Sequence, residues 1–142
     1  MGGTMRIACL VVVGVLILLS SGCGSGTSNS PITGKPFLDE KKELEPRQEW
    51  NREVISRSGG TISFRVASQG PFAVTVVTAK GYQALKGDDP KALDKADVLL
   101  TVDSKGPTHE GKVTLPAGSS YFIIENQADK KAQVHLQCFP PS

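Results

Sequence analysis

The chain has 142 residues, room for one domain and little more. Hydrophobic residues make up 39% and charged residues 21%, which excludes a low-complexity or largely disordered polymer. Its 16 basic and 14 acidic residues give a net charge of +2 and are interspersed without a basic stripe, which argues against a nucleic-acid partner.

The first two dozen residues stand apart. Met1 to Arg6 carries one basic side chain and no acid, and Ile7 to Leu19 (IACLVVVGVLILL) is uncharged. At about 1.5 Å per residue such a helix reaches roughly 20 Å, short of the roughly 30 Å hydrocarbon core of a bilayer. The segment reads as the apolar region of an export signal rather than a span. A myristoylation signal is excluded, because Arg6 stands where that pattern needs Ser or Thr.

The following residues, Leu18-Leu19-Ser20-Ser21-Gly22-Cys23, resemble the lipobox of bacterial lipoproteins. In that family small residues before the cysteine admit the backbone to the lipoprotein signal peptidase. The thiol receives diacylglycerol, and cleavage then frees the cysteine amine. Ser21 and Gly22 occupy the small positions; Ser20 stands where an aliphatic residue is usual, with Leu19 one place earlier. The resemblance implies a leader over residues 1–22, cleavage between Gly22 and Cys23, and a covalent acyl lipid on Cys23. It implies a protein held on the exported side of the cell membrane. In enterobacterial-type sorting an aspartate after the cysteine retains the protein in the inner membrane, so Gly24 implies the outer membrane where the organism has one.

Of the three cysteines, Cys9 lies in the leader, Cys23 takes the lipid and Cys138 stands alone. The mature domain therefore has no internal disulfide and relies on a packed core. Gly24 to Pro36 (GSGTSNSPITGKP) has almost nothing to bury and reads as a flexible tether. Phe37 to Ser56 is charged and mixed; Asp39 to Leu44 predicts the start of a short helix that Pro46 ends, and the linker is expected to run to residue 48. The interspersed charges of Glu40 to Arg47 read as a solvated face.

From Glu49 onward, residues 49–142, the period changes to two. Strands are predicted at Thr61–Ser68, Phe72–Ala79, Asp97–Ser104, Gly111–Leu115, Ser120–Asn126 and Ala132–Phe139, with a weaker one at Glu49–Arg57. Alternation puts Ile62, Phe64 and Val66 on one face; Val98, Leu100 and Val102 share a face, as do Val134, Leu136 and Cys138. Gly87 to Ala96 predicts a helical turn, with Asp89 capping and Pro90 in the first position. Short strands joined by Gly/Pro/Ser turns predict an all-β fold, an antiparallel β-sandwich of about seven or eight strands.

Gly118-Ser-Ser-Tyr-Phe-Ile-Ile-Glu-Asn126, with the strand that follows, looks like the latter half of a GOLD (Golgi-dynamics) domain. Gly118, Phe122, Ile124 and Asn126 fall at that family's spacing, and the Gln69-Gly70-Pro71-Phe72 turn is similar to its counterpart. Ser120 replaces the expected aromatic, with Tyr121 displaced by one, and Ile123 replaces the family's cysteine. The resemblance implies a compact sandwich and carries over no cargo function.

Catalytic and metal chemistry find little footing. His109, His135 and Cys138 are the soft ligands of the mature chain, and His135 and Cys138, three apart on one strand, are expected on opposite faces. No Gly-x-Ser-x-Gly elbow or phosphate loop is present, and Asp88-Asp89 before Pro90 reads as a turn and cap. No enzyme activity, cofactor or metal is expected. Trp50, Tyr82 and Tyr121 are candidate ligand contacts or, alternatively, closures of the core ends; Tyr82 to Leu85 is expected in the least regular loop. The sequence thus predicts a membrane-anchored envelope lipoprotein whose non-catalytic sandwich binds or organises another envelope component, protein or glycan. A surface-displayed carbohydrate-binding module is the alternative.

Overall fold

Alternating apolar residues can bury one side of a strand only if a second sheet covers it, and that requirement shapes the domain. The structure, a computed structural model, describes residues 32, 34–87 and 93–141. The expected leader, Cys23 and residues 24–31 and 33 of the expected tether lie outside the described residues, as do Asp88, Asp89 and Pro90.

Eight strands run in order: β1 (Leu38–Leu44), β2 (Glu49–Ser56), β3 (Gly60–Ser68), β4 (Phe72–Thr78), β5 (Val98–Ser104), β6 (Thr108–Leu115), β7 (Gly118–Asn126) and β8 (Ala132–Phe139). One helix, α1 (Ala79–Lys86), follows β4, and a 3-10 turn at Lys95–Asp97 precedes β5. Two four-stranded sheets form, ordered β1-β8-β3-β6 and β2-β7-β4-β5, and every pairing is antiparallel. Consecutive strands alternate between sheets except at β4–β5, the order of a jelly-roll sandwich.

The inward positions are those the alternation assigned. Ile62, Phe64, Val66, Val134, Leu136 and Cys138 face Val74, Val76, Phe122 and Ile124 across the sandwich. Phe64 and Phe122 join the layers edge to face, with centroids 5.5 Å apart and planes at 68°. Each fully buried side chain of this kind contributes about 1.5–3 kcal/mol. Val98, Leu100 and Val102 are only partly buried, because β5 is an edge strand. Between turns the backbones approach closely: a Cβ on Gly106, whose φ is +79°, would lie 2.9 Å from the Gly70 carbonyl oxygen.

Two expectations are corrected. Asp39 to Leu44 is not helical but part of β1, so the sandwich begins at Leu38 rather than Glu49. The register β1 makes with β8, from Leu38 opposite Cys138 to Leu44 opposite Ala132, supplies backbone partners that outweigh local helix propensity. The charges are those of a protected edge: Glu40 reaches across to Arg52 of β2 at 2.6 Å, while Lys131 pairs with Glu43 and Glu45.

Tyr82 to Leu85 is not irregular but lies in α1. Thr78 caps this helix by accepting from the Gly81 amide at 3.1 Å and donates its own hydroxyl proton to Asp97 at 2.8 Å. Gly81 obscures the helical signal yet permits the packing, since a Cβ there would meet Asp97 at 3.0 Å and Val77 at 3.2 Å.

A candidate binding cleft on the β2-β7-β4-β5 face

The outward positions of the second sheet fall into rows fixed by register. Asn51 of β2 lies opposite Ile123 of β7, which lies opposite Thr75 of β4, which lies opposite Thr101 of β5. One amide, one aliphatic side chain and two hydroxyls thus cross the sheet in line. The next row is Glu49, Glu125, Ala73 and Asp103, three carboxylates among four residues.

Helix α1 rises beside this floor and makes it concave. Its Tyr82 lies against Tyr121 of β7, with ring centroids 3.9 Å apart and planes at 9°. Asn51 donates its side-chain N–H to the Tyr82 hydroxyl at 3.2 Å, and the Lys86 ammonium sits 4.7 Å from the Tyr82 ring centroid. Partial burial, reinforced by Glu53, pushes the Tyr121 phenol above its usual range. Between floor and helix lies a cleft of about 430 Å³ bordered by Glu49, Leu85, Lys86 and Leu93. Its size falls in the range of small-ligand sites. Glu49 and Lys86 put a carboxylate and an ammonium on its border, while Ile123 and the 44%-exposed Leu85 supply apolar surface.

The three aromatic candidates do not share an open face. Trp50 points inward and is 7% exposed, a core residue; its neighbour Asn51 is the one that faces the cleft. Tyr82 and Tyr121 cover each other, so their rings hold α1 on the sheet instead of presenting a bare platform. The floor residues Asn51, Thr75, Thr101 and Ile123 were missed. Each sits at an outward position that alternation marks as solvated, and only the register and α1 reveal that they converge.

The opposite face is a closed polar lattice. Gln137 donates to Asp39 at 3.2 Å, Arg65 donates to Gln137 at 3.3 Å and to Glu110 at 2.6 Å, and His135 meets Asp39 at 2.5 Å. The bond from His135, followed by that from Gln137, holds the Asp39 carboxyl below the usual carboxylate range. Cys138 points the other way, into the core, where burial pushes its thiol up to about 12. His109 packs beside Phe64, with centroids 5.9 Å apart. Among the described residues no three His, Cys, Asp or Glu converge as a metal-binding group.

No family model and no curated protein sequence matches this chain. Among solved structures it is similar to PliG, a periplasmic inhibitor of g-type lysozyme from Aeromonas hydrophila, at 16% identity and a TM-score of 0.48, over 72% of this chain and 83% of that one. It is also similar to the Yersinia pseudotuberculosis-derived mitogen, at 9% identity and a TM-score of 0.49, over 76% and 89% of the two chains. A carbohydrate-binding module of Cellvibrio mixtus lichenase 5A, in complex with cellotriose, aligns at 19% identity and a TM-score of 0.42, over 76% and 91%. At these identities the likeness is one of β-sandwich architecture alone.

Proposed function

We propose that this chain is an exported lipoprotein, anchored through an acyl lipid on Cys23, whose sandwich binds another envelope component without catalysing a reaction. The observation that carries the binding reading is the cleft built on Asn51, Ile123, Thr75 and Thr101 and walled by α1. Its described lining combines hydroxyls, an amide, a carboxylate, an ammonium and aliphatic groups, and contains no His, Cys or Ser. That set offers recognition contacts, with donors, acceptors and apolar surface in one concavity. The lipobox-like segment at Leu18 to Cys23 supports the anchor, and Gly24 supports the outer membrane where there is one. A protein segment is the favoured occupant, because exposed Leu85 beside Lys86 presents an apolar contact flanked by charge.

The test places a photo-crosslinking amino acid at Leu85 in the full chain, expressed in its own host. One discrete protein adduct that disappears in a Thr101→Arg variant is expected. A second reading, a carbohydrate-binding module, draws on the hydroxyl and amide row. It predicts saturable binding of envelope polysaccharide, lost with Thr101→Arg, and no protein adduct. Absence of both adduct and polysaccharide binding would remove the cleft as the functional site.

A further inference from the structure

A strand at the rim of a sheet presents unpaired amide and carbonyl groups, and natural sheets protect such rims with charge. Among the described residues the rims are β1 and β6 in one sheet, β2 and β5 in the other. β1 is charged at five of its seven positions, β2 carries Glu49, Arg52 and Glu53, and β6 carries Glu110 and Lys112, so these three are protected. The β1–β2 side of the sandwich is further closed by Arg52 and Glu40, which meet at 2.6 Å. β5 differs. Its stretch Val98–Val102 (VLLTV) has no charge, and Asp103 is the strand's single charged residue.

The backbone of that rim is open to pairing. From Leu100 opposite Val76 to Ser104 opposite Phe72, β5 keeps unbroken register with β4, the one strand it bonds. The bulge lies before this stretch, between Val76 and Val77, and leaves Leu99 without a partner on β4. Among the described residues no other strand or loop backbone hydrogen-bonds Leu100–Ser104. Leu100 and Val102 pack against the core yet are only half-buried, so a strand added here would complete their burial.

The order of residues along β5 fits a second copy of itself. Asp97 stands four residues before Thr101 and Lys105 four residues after it. An antiparallel pair about a two-fold axis through Thr101 sets Thr101 against its own copy and Leu100 against Val102, and brings each Lys105 toward Asp97 of the other chain. Asp97 accepts from Thr78 through Oδ1, which leaves Oδ2 for that contact. Opposite charges and apolar neighbours thus coincide, and no like charges fall opposite each other. We propose that the chain forms a homodimer by antiparallel pairing of β5 with β5, which joins the two β2-β7-β4-β5 sheets into one continuous sheet. A strand from a different protein would need no such symmetry of charge about Thr101. Because Val98 and Thr101 also line the cleft, the dimer sets two clefts side by side on one face, an arrangement suited to a bivalent partner. The pairing depends neither on the lipid anchor nor on what the cleft binds.

The test uses the full chain in detergent carrying Thr101→Cys, since cysteines directly opposite each other in an antiparallel pair lie within disulfide reach. Lys112→Cys, exposed on β6 at the rim of the other sheet, measures chance collision and shared micelles, and Cys138 is too buried to compete. The expected result under mild oxidation is a disulfide-linked dimer that forms roughly tenfold faster at position 101 than at position 112. Lys105→Glu, at an exposed position, sets like charges together and should weaken dimerisation in sedimentation by roughly threefold to tenfold. Equal crosslinking rates at 101 and 112 overturn the pairing, whether the chain sediments as a monomer or as a dimer through another surface. Should Thr101→Cys fail to fold, Lys105→Glu decides alone, and sedimentation unchanged from wild type overturns the proposal.

Discussion

Tyr82 and Tyr121 lie face to face, 3.9 Å between centroids and 9° between planes, and this stack is where the helix meets the sheet. Removing either ring should therefore act on the helix and not on the sandwich core. Tyr121→Ala is expected to cost about 1–2 kcal/mol in chemical denaturation, from the lost aromatic pair and its contact area. Limited proteolysis should cut first near α1 in that variant, whereas Tyr121→Phe should retain near-native protection. A Tyr121→Ala protein that keeps full α1 protection would show that the capping by Thr78 suffices alone.

Asn126 is fully buried and ties the β1–β2 turn to the β7–β8 turn. Its amide group donates to the carbonyls of Leu44 at 3.0 Å, Glu45 at 3.2 Å and Lys130 at 2.9 Å, while its oxygen accepts from the Ala128 amide at 3.0 Å. Asn126→Ala should destabilise by about 2–4 kcal/mol, because buried backbone groups lose their partners. Asn126→Asp should be at least as damaging at neutral pH, since a carboxylate would face carbonyl oxygens with no proton to donate. Urea denaturation measures both; equal stability of wild type and Ala would mean that water replaces the side chain.

Asp39 gives the pH dependence a sign. Its carboxyl is held below the ordinary value of 3.8, first by the hydrogen bond from His135 and then by that from Gln137. A depressed folded-state value contributes stability that is present above 3.8 and lost as pH falls through the lower folded-state value. Asp39→Asn should therefore show a shallower loss of stability on acidification below 3.8 than the wild type, followed by thermal melts across that range. Parallel curves would assign the acid sensitivity elsewhere. The effect is small, because the pair is exposed and screened.

Cys138 should be silent to thiol reagents in the folded state. Burial raises its thiol to about 12, so almost no thiolate exists at neutral pH, and the side chain is fully enclosed. With Cys23 acylated, maleimide should label position 138 only on opening, at a rate that tracks global unfolding and is on the order of a thousandfold or more below that in urea. Rapid native labelling would reveal a low-energy opening of the β1–β8 edge.

The strands from β2 onward were legible because alternation survives wherever one strand face is buried and the other is wet. Ile62, Phe64 and Val66, or Val134, Leu136 and Cys138, announce an inward face without reference to any partner. The cleft was not legible, because Asn51, Thr75, Thr101 and Ile123 lie far apart in sequence and meet only through register.

What the sequence alone determined was the two-residue period of the sandwich and its turns, together with the lipobox-like segment that motivates the anchor. These are local properties, written in neighbouring residues. Tertiary structure decided the rest. It made a strand of the charged segment Leu38–Leu44, because β8 offered that segment a partner. It placed Trp50 inside and Asn51 outside, and it laid α1 against Tyr121. Each of these depends on which strands pair and which face a helix covers, and such long-range choices leave no periodic trace in the segments concerned.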